Sequence, residues 1–232
     1  MQFIPILSSL SGAALTTANW EDAHSKIASF YLNDLLIKPG LTVLQSIKSL
    51  KEYLAWPHTL VLNLSLMKAN NEGDYELRSI YDGSLIKIEK KALFTLLRNL
   101  DADLFVLSTQ HYDKKESFQL FYQRLLQNQY AYVSGDFNLE ELKQLKSLQN
   151  LYLESNSPAE MALKGQIYSQ DGMVDMNDTS LAKDFEPLDK DCLCSSCAAG
   201  FTLAYLHHLF TMTPLLCQRY LLQHNIFYIN LP

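Results

Sequence analysis

Three cysteines in six residues, Cys192-Leu193-Cys194-Ser195-Ser196-Cys197, constrain this chain more than any other feature. They are three of its four cysteines. So tight a cluster cannot serve as a disulfide framework, which spreads its cysteines along the chain; it points to a reducing compartment and a metal. Thiolates are soft ligands, and a knuckle of this spacing can wrap three tetrahedral positions around zinc. A fourth ligand must come from elsewhere, and the candidates are His207, His208, Cys217 and His224. Helical geometry lets one of the adjacent His207 and His208 face inward but does not easily aim both at one ion. Three thiolates and an imidazole leave no position open for water, so such a zinc is structural.

The rest of the composition bounds the fold. The chain has 232 residues, 48% apolar and 19% charged, which suits one globular domain or at most two small ones. It excludes collagen-like, low-complexity and broadly disordered chains. The net charge of −6 argues against a strong stand-alone nucleic-acid binder. No apolar run reaches the ~20 residues that span a bilayer; Thr59–Met67 is interrupted by Asn63 and Ser65. The apolar start, Phe3–Ala18, has no Lys or Arg before it and contains Pro5, so a buried first strand is expected rather than a signal peptide. A cytoplasmic protein without a membrane partner is the expectation.

Hydrophobic spacing predicts helices at Trp20–Leu36 and Leu41–Leu54, then a doubly buried strand at Thr59–Leu66. Tyr75–Glu89 alternates around Asp82-Gly83, a hairpin signal. A helix at Ala92–Leu100, a buried strand at Leu104–Leu107, a helix at Glu116–Gln127, a strand at Tyr130–Val133, a helix at Leu139–Leu148 and a strand at Leu151–Leu153 continue the βα rhythm. A second hairpin is expected over Gly165–Met176, then helices at Ala199–Leu209 and Pro214–His224 and a tail strand at Phe227–Ile229.

The cysteine region carries a resemblance. Pro187-Leu188-Asp189-Lys190-Asp191-Cys192, with the knuckle that follows, then Ala204-Tyr205-Leu206-His207-His208-Leu209, then His224-Asn225-Ile226-Phe227-Tyr228, resemble in order and spacing the C-terminal zinc segment of the tRNA-guanine transglycosylases. Upstream the likeness is looser: Lys164–Tyr168 and Asp171-Gly172, Phe3-Ile4-Pro5, Leu35–Gly40, and Trp56 with Leu60–Leu62 and the Tyr81-Asp82-Gly83 hairpin. The resemblance implies that His224 is the fourth ligand, with His207 and His208 as packing or supporting residues. It implies an α/β fold: a truncated or irregular TIM-type (β/α) barrel over 1–163, packed as one unit with a hairpin and zinc-binding helical segment over 164–232. It further implies base exchange in tRNA, as in queuosine modification, through a nucleophilic and an acid/base aspartate.

The catalytic positions depart from that pattern. Asn63 stands where the acid/base aspartate belongs and cannot titrate near neutrality. Ser108-Thr109 fall where the base-binding aspartate belongs. Anchored on Pro158, Ala162 and Gly165, Glu154 takes the place of the nucleophilic aspartate, with its carboxylate one methylene further out, and Ala159-Glu160 and Leu163 replace the accompanying Thr-Arg and Arg. The glycine loops that follow in the family have no counterpart, so roughly two βα units of an eightfold barrel are missing. From Asp191 to Pro232 the only basic residue is Arg219, which weakens any tRNA backbone contact there; Lys90-Lys91 and Lys114-Lys115 lie among acids. The leading expectation is a catalytically degenerate family member with structural zinc, working as a homodimer or as a heterodimer with a catalytic member. The alternatives are an active transferase or glycosidase with Glu154 as nucleophile and Asp103 or Asp136 as second carboxylate, and a zinc-stabilised protein-interaction module. In the first of these alternatives Glu154 is weighed against an exposed strand-end glutamate, the favoured reading of that residue taken alone.

Overall fold

The computed structural model describes residues 1–107 and 130–231. Ser108-Thr109, Lys114-Lys115 and the helix expected at Glu116–Gln127 lie outside the described residues. In chain order the elements are β1 (Gln2–Pro5), α1 (Thr17–Asp22), β2 (Ile27–Tyr31), α2 (Leu32–Leu35), α3 (Leu41–Ser46), α4 (Leu50–Leu54), β3 (Thr59–Asn63), β4 (Tyr75–Arg78), β5 (Leu85–Ile88), α5 (Lys90–Leu100) and β6 (Leu104–Val106). There follow β7 (Ala131–Ser134), α6 (Leu139–Leu145), β8 (Leu151–Ser155), α7 (Ser157–Leu163), β9 (Gln166–Ser169), β10 (Gly172–Asp175), α8 (Ser195–Ala198), α9 (Leu203–Met212) and α10 (Pro214–Asn230). The chain divides into two compact units, one of Ile6–Ser9 and Lys26–Thr109, the other of Met1–Pro5, Leu10–Ser25 and Gln110–Pro232.

The unit containing Lys26–Thr109 is built on the parallel sheet β2-β3-β6, whose carboxyl ends align at Tyr31, Asn63 and Val106. Leu60, Val61 and Leu62 are all solvent-excluded, as a strand covered on both faces requires. The same double burial corrects the helix expected over Trp20–Leu36. Only its two ends are helical, in Thr17–Asp22 and Leu32–Leu35; between them His24 turns the chain at φ 63, and Ile27–Phe30 are buried on both faces of a strand. A strand so covered loses its period of two, so its apolar residues can fall at helical spacing by chance. The helix expected over Leu41–Leu54 is two short ones, because Ser49 caps α4 by accepting the Glu52 N–H at 3.1 Å. The hairpin β4–β5 turns at Asp82-Gly83, where Asp82 Oδ1 accepts the Ser84 N–H at 3.1 Å and Gly83 sits at φ 71. β6 differs from the buried run expected: Leu104 and Phe105 are 39% and 44% exposed. Among the described residues it pairs with β3 alone, as an edge strand.

The other unit is built on the parallel sheet β1-β8-β7, the antiparallel hairpin β9-β10 and the helix α10. Asn138 and Glu141 close a capping box that starts α6, and Leu139, Leu142 and Leu145 face inward at helical spacing. The seven residues Leu221–Phe227 of α10 are all buried, and the tail strand expected at Phe227–Ile229 is the last turn of this helix. A helix covered on every side has no amphipathic stripe to announce it. Lys146 Nζ donates to the Tyr228 carbonyl at 2.8 Å, satisfying an acceptor in the last turn of α10. No helix among the described residues is long and apolar enough to cross a membrane.

Two glycines in this unit predict opposite outcomes. Gly165 sits at φ +82 before β9, and a Cβ there would lie 2.7 Å from the Phe210 ring. Gly165→Ala therefore combines left-handed strain with overpacking, and a loss of about 1–3 kcal/mol is expected in denaturant unfolding. At Gly135 an added Cβ would meet the Phe137 ring at 3.5 Å, ordinary contact. Gly135→Ala is expected to stay within about 0.5 kcal/mol of the parent.

Candidate metal centre

Each of the four groups expected to bind metal is carried by a separate local device. Cys194 is the N-cap of α8, its sulfur accepting the Cys197 N–H at 3.4 Å, so the cap and the first turn place two thiols on one side. Cys192 lies just before, and its sulfur accepts the Cys194 N–H at 3.5 Å. Such N–H donors spread the charge that clustered thiolates would concentrate. α8 is tied to α10 by Ser195 Oγ, which donates to Gln223 Oε1 at 3.2 Å, and by Ser196 Oγ, which donates to the Tyr220 carbonyl at 2.9 Å. α10 brings up His224, fully buried, with Phe227 packed against the sulfurs.

The ligand atoms of Cys192, Cys194, Cys197 and His224 all lie within 4.8 Å of one another. His224 Nδ1 stands 3.6, 3.4 and 3.3 Å from the three sulfurs in that order. Tetrahedral zinc with Zn–S near 2.3 Å and Zn–N near 2.0–2.1 Å separates sulfur from nitrogen by roughly 3.5 Å. The four side chains therefore fit such an ion. The imidazole is also oriented as a metal needs. Its Nε2 is 2.9 Å from the Tyr168 carbonyl, which can only accept, so Nε2 keeps its proton and Nδ1 is the nitrogen that would be deprotonated to take a metal beside the sulfurs.

The electrostatics belong to a cluster that shares charge. Hydrogen bonding with Cys192 and Cys197 holds the Cys194 thiol far below its usual value, while Cys192 and Cys194 push the Cys197 thiol up. Burial works against a charged His224, but the sulfurs of Cys192 and Cys194 outweigh it and raise the imidazole to about 10. A divalent cation replaces this partial ionisation with three thiolates and a neutral imidazole, releasing protons.

The other sequence candidates go elsewhere. Cys217 is buried in α10, its thiol donating to the Leu206 carbonyl at 3.3 Å and pushed by burial up to about 12. His207 Nδ1 bonds the Met176 carbonyl at 2.8 Å, and His208 is exposed. Neither belongs to the cluster. Sequence reasoning missed Asn225. It is fully buried, accepts the Tyr168 N–H at 2.9 Å through Oδ1, and donates through Nδ2 to the Pro158 and Gln166 carbonyls at 3.1 and 3.0 Å. Its signal was present: an amide inside the apolar end of the chain, next to a candidate ligand.

The two positions expected at the catalytic centre fall in different compact units. Asn63 ends β3, solvent-excluded, with Oδ1 accepting the Ser65 N–H at 2.8 Å. Glu154, the fourth residue of β8, is 0% exposed, which corrects the exposed strand-end alternative. It lies in register with Ile4 on one side and Ser134 on the other, and its carbonyl accepts the Gly135 N–H at 3.1 Å. Asp136 is two residues beyond Ser134 and exposed. Asp103 is at the amino end of β6, where it pairs with Lys51 at 2.6 Å and accepts the Leu60 N–H at 2.7 Å. Partial burial opposes its charge, but Lys51 and that N–H hold it below the usual carboxylate value. It is a latch in the unit that lacks Glu154.

With this geometry in hand, the comparisons agree on one segment. The family described as "Queuine tRNA-ribosyltransferase" matches residues 152–231. The protein of that name from Desulfosudis oleivorans is 34% identical over 101 residues, 43% of this chain and 26% of the relative. Those from Caldanaerobacter subterraneus subsp. tengcongensis and Dinoroseobacter shibae are 33% and 35% identical over 72 and 71 residues, each 31% of this chain and 19% of the relative. The alignments thus span about a fifth to a quarter of these relatives' length.

Two outcomes test the centre. Asn225→Leu removes three buried hydrogen bonds and leaves an N–H and two carbonyls without that partner, so a loss of about 2–4 kcal/mol is expected in denaturant unfolding. A strong chelator, or Cys194→Ser, is expected to lower the thermal midpoint by releasing α8 from α10; an unchanged midpoint in metal-loaded and stripped protein would sink the structural role.

Proposed function

We propose, from the match of residues 152–231 to the queuine tRNA-ribosyltransferase family, that this protein is a tRNA-guanine transglycosylase-like protein that has lost catalysis and kept a structural zinc centre. The observation that carries this reading is Asn63. Acid/base work needs a group that exchanges a proton near neutrality, and an amide has none. Its oxygen is moreover committed to the Ser65 N–H. In the same reading Cys192, Cys194, Cys197 and His224 hold Zn2+, which supplies charge neutralisation and cross-linking there and leaves no place for a reacting water. The parallel strands of both units support a reduced (β/α) barrel, the fold this family implies.

A chain of this kind acts through a partner. We read it as a cytoplasmic homodimer, or a heterodimer with a catalytic family member that supplies the missing aspartates. Contact with tRNA is weakened by the net charge of −6 and by Arg219 being the only cation after Lys190.

The burial of Glu154 favours a second reading, base exchange or glycoside cleavage with Glu154 as nucleophile. A carboxylate at the carboxyl end of a parallel strand is where catalytic groups of such folds stand. Its extra methylene works against this reading, since a misplacement near 1 Å can cost on the order of 100-fold in rate.

Incubation of the protein with unmodified tRNA and labelled guanine, beside an active family enzyme, separates the two. No incorporation above background is expected. Incorporation that disappears in Glu154→Gln would overturn the silent reading and make Glu154 the nucleophile.

A further inference from the structure

The four ligands of the metal centre are not equally covered. Cys192, Cys194 and His224 are buried, whereas Cys197 is half-buried. Cys194 and Cys197 stand three residues apart on one helical turn, a spacing that puts Cβ atoms about 5–6 Å apart and within reach of a modest closure to a disulfide. The Cys197 N–H already points at the Cys194 sulfur, 3.4 Å away. Metal-bound cysteines are thiolates, the nucleophilic form. The fourth cysteine, Cys217, is a built-in contrast: it is buried, and its thiol stays protonated against the Leu206 carbonyl.

We propose that Cys197 and Cys194 form a peroxide-sensitive pair through which oxidation ejects the metal and unlatches α8 from α10. The inference rests on zinc occupying the centre. The oxidant is hydrogen peroxide. The Cys197 thiolate attacks one peroxide oxygen, the O–O bond breaks, hydroxide leaves, and Cys197 becomes a sulfenic acid. The Cys194 thiolate then attacks that sulfur, the S–O bond breaks, and a second hydroxide leaves as the S–S bond forms. Two thiolates have lost two electrons in total, and one peroxide has gained them. Cys192 and His224 alone cannot hold the ion, so Zn2+ departs. A thiol reductant and added zinc reverse the sequence.

The test begins with the zinc content of the purified chain. Peroxide is then added in the presence of a chromogenic zinc chelator, and the cysteines are mapped by mass spectrometry. Zinc release on the order of tenfold faster than without peroxide is expected, with a Cys194–Cys197 disulfide and an unmodified Cys217. Cys217→Ser is expected to release zinc at the parent rate. Cys197→His keeps four ligands without the half-buried thiolate and is expected to hold zinc under the same peroxide. Protein that carries no zinc at the outset overturns both this inference and the metal reading. Zinc that stays bound under peroxide, oxidation that starts at Cys217, or equally fast release from Cys197→His overturns this inference alone.

Discussion

One residue holds together much of the unit that contains the candidate metal centre. Tyr168, in the middle of β9, is gripped on both sides by consecutive residues of α10: its carbonyl accepts from His224 Nε2, and its N–H donates to Asn225 Oδ1. The first bond orients the imidazole whose other nitrogen faces three sulfurs. The second locks the same helix to the start of α7 and to β9 through the Pro158 and Gln166 carbonyls. The ligand geometry and the docking of α10 are therefore a single constraint. Neither can shift without opening buried backbone groups that no water reaches, each costing about 1–3 kcal/mol when left unpaired.

That constraint explains why a helix so polar in name is buried. Gln223, His224 and Asn225 run consecutively through solvent-excluded surroundings. Gln223 accepts from Ser195, His224 faces the sulfurs and Tyr168, and Asn225 spans three backbone groups. Every one of these polar side chains has a destination, and the destinations are the knuckle helix, the hairpin and α7. The apolar residues around them, Leu221, Leu222, Ile226 and Phe227, fill the remaining directions. A metal held there would cross-link what the amides already align, so its binding free energy would enter folding directly.

The sequence made some of this legible, and the difference lies in how local the physics is. The knuckle is readable because its three thiols are six residues from end to end. The two hairpins are readable because Asp-Gly and a positive φ are properties of the turn itself, as at Asp82-Gly83 and Gly172. The strand Ile27–Tyr31 and the end of α10 are not readable in that way. Both are covered on all sides, and complete burial erases the alternation that distinguishes period 2 from period 3.6. Glu154 shows the same limit for a site. Nothing in the neighbouring residues announces that a carboxylate will be solvent-excluded; that depends on β1, almost 150 residues earlier, pairing beside it through Ile4.

The burial of Glu154 also bears on the proposed loss of catalysis. Exchange of a base at a sugar needs a nucleophile and a second group that carries a proton, both presented to one substrate. A buried carboxylate at the carboxyl end of β8 is chemistry that could still be used, and a site decaying without constraint has no reason to keep one in so costly a place. Yet Asn63 has no proton to pass and its oxygen is spent on a local turn. On the proposed silent reading Glu154 is a position of the sheet: its backbone pairs with β1 on one side and β7 on the other, whatever its carboxylate does. That reading leaves Glu154 a packing position, while all four candidate metal ligands are present in the same unit.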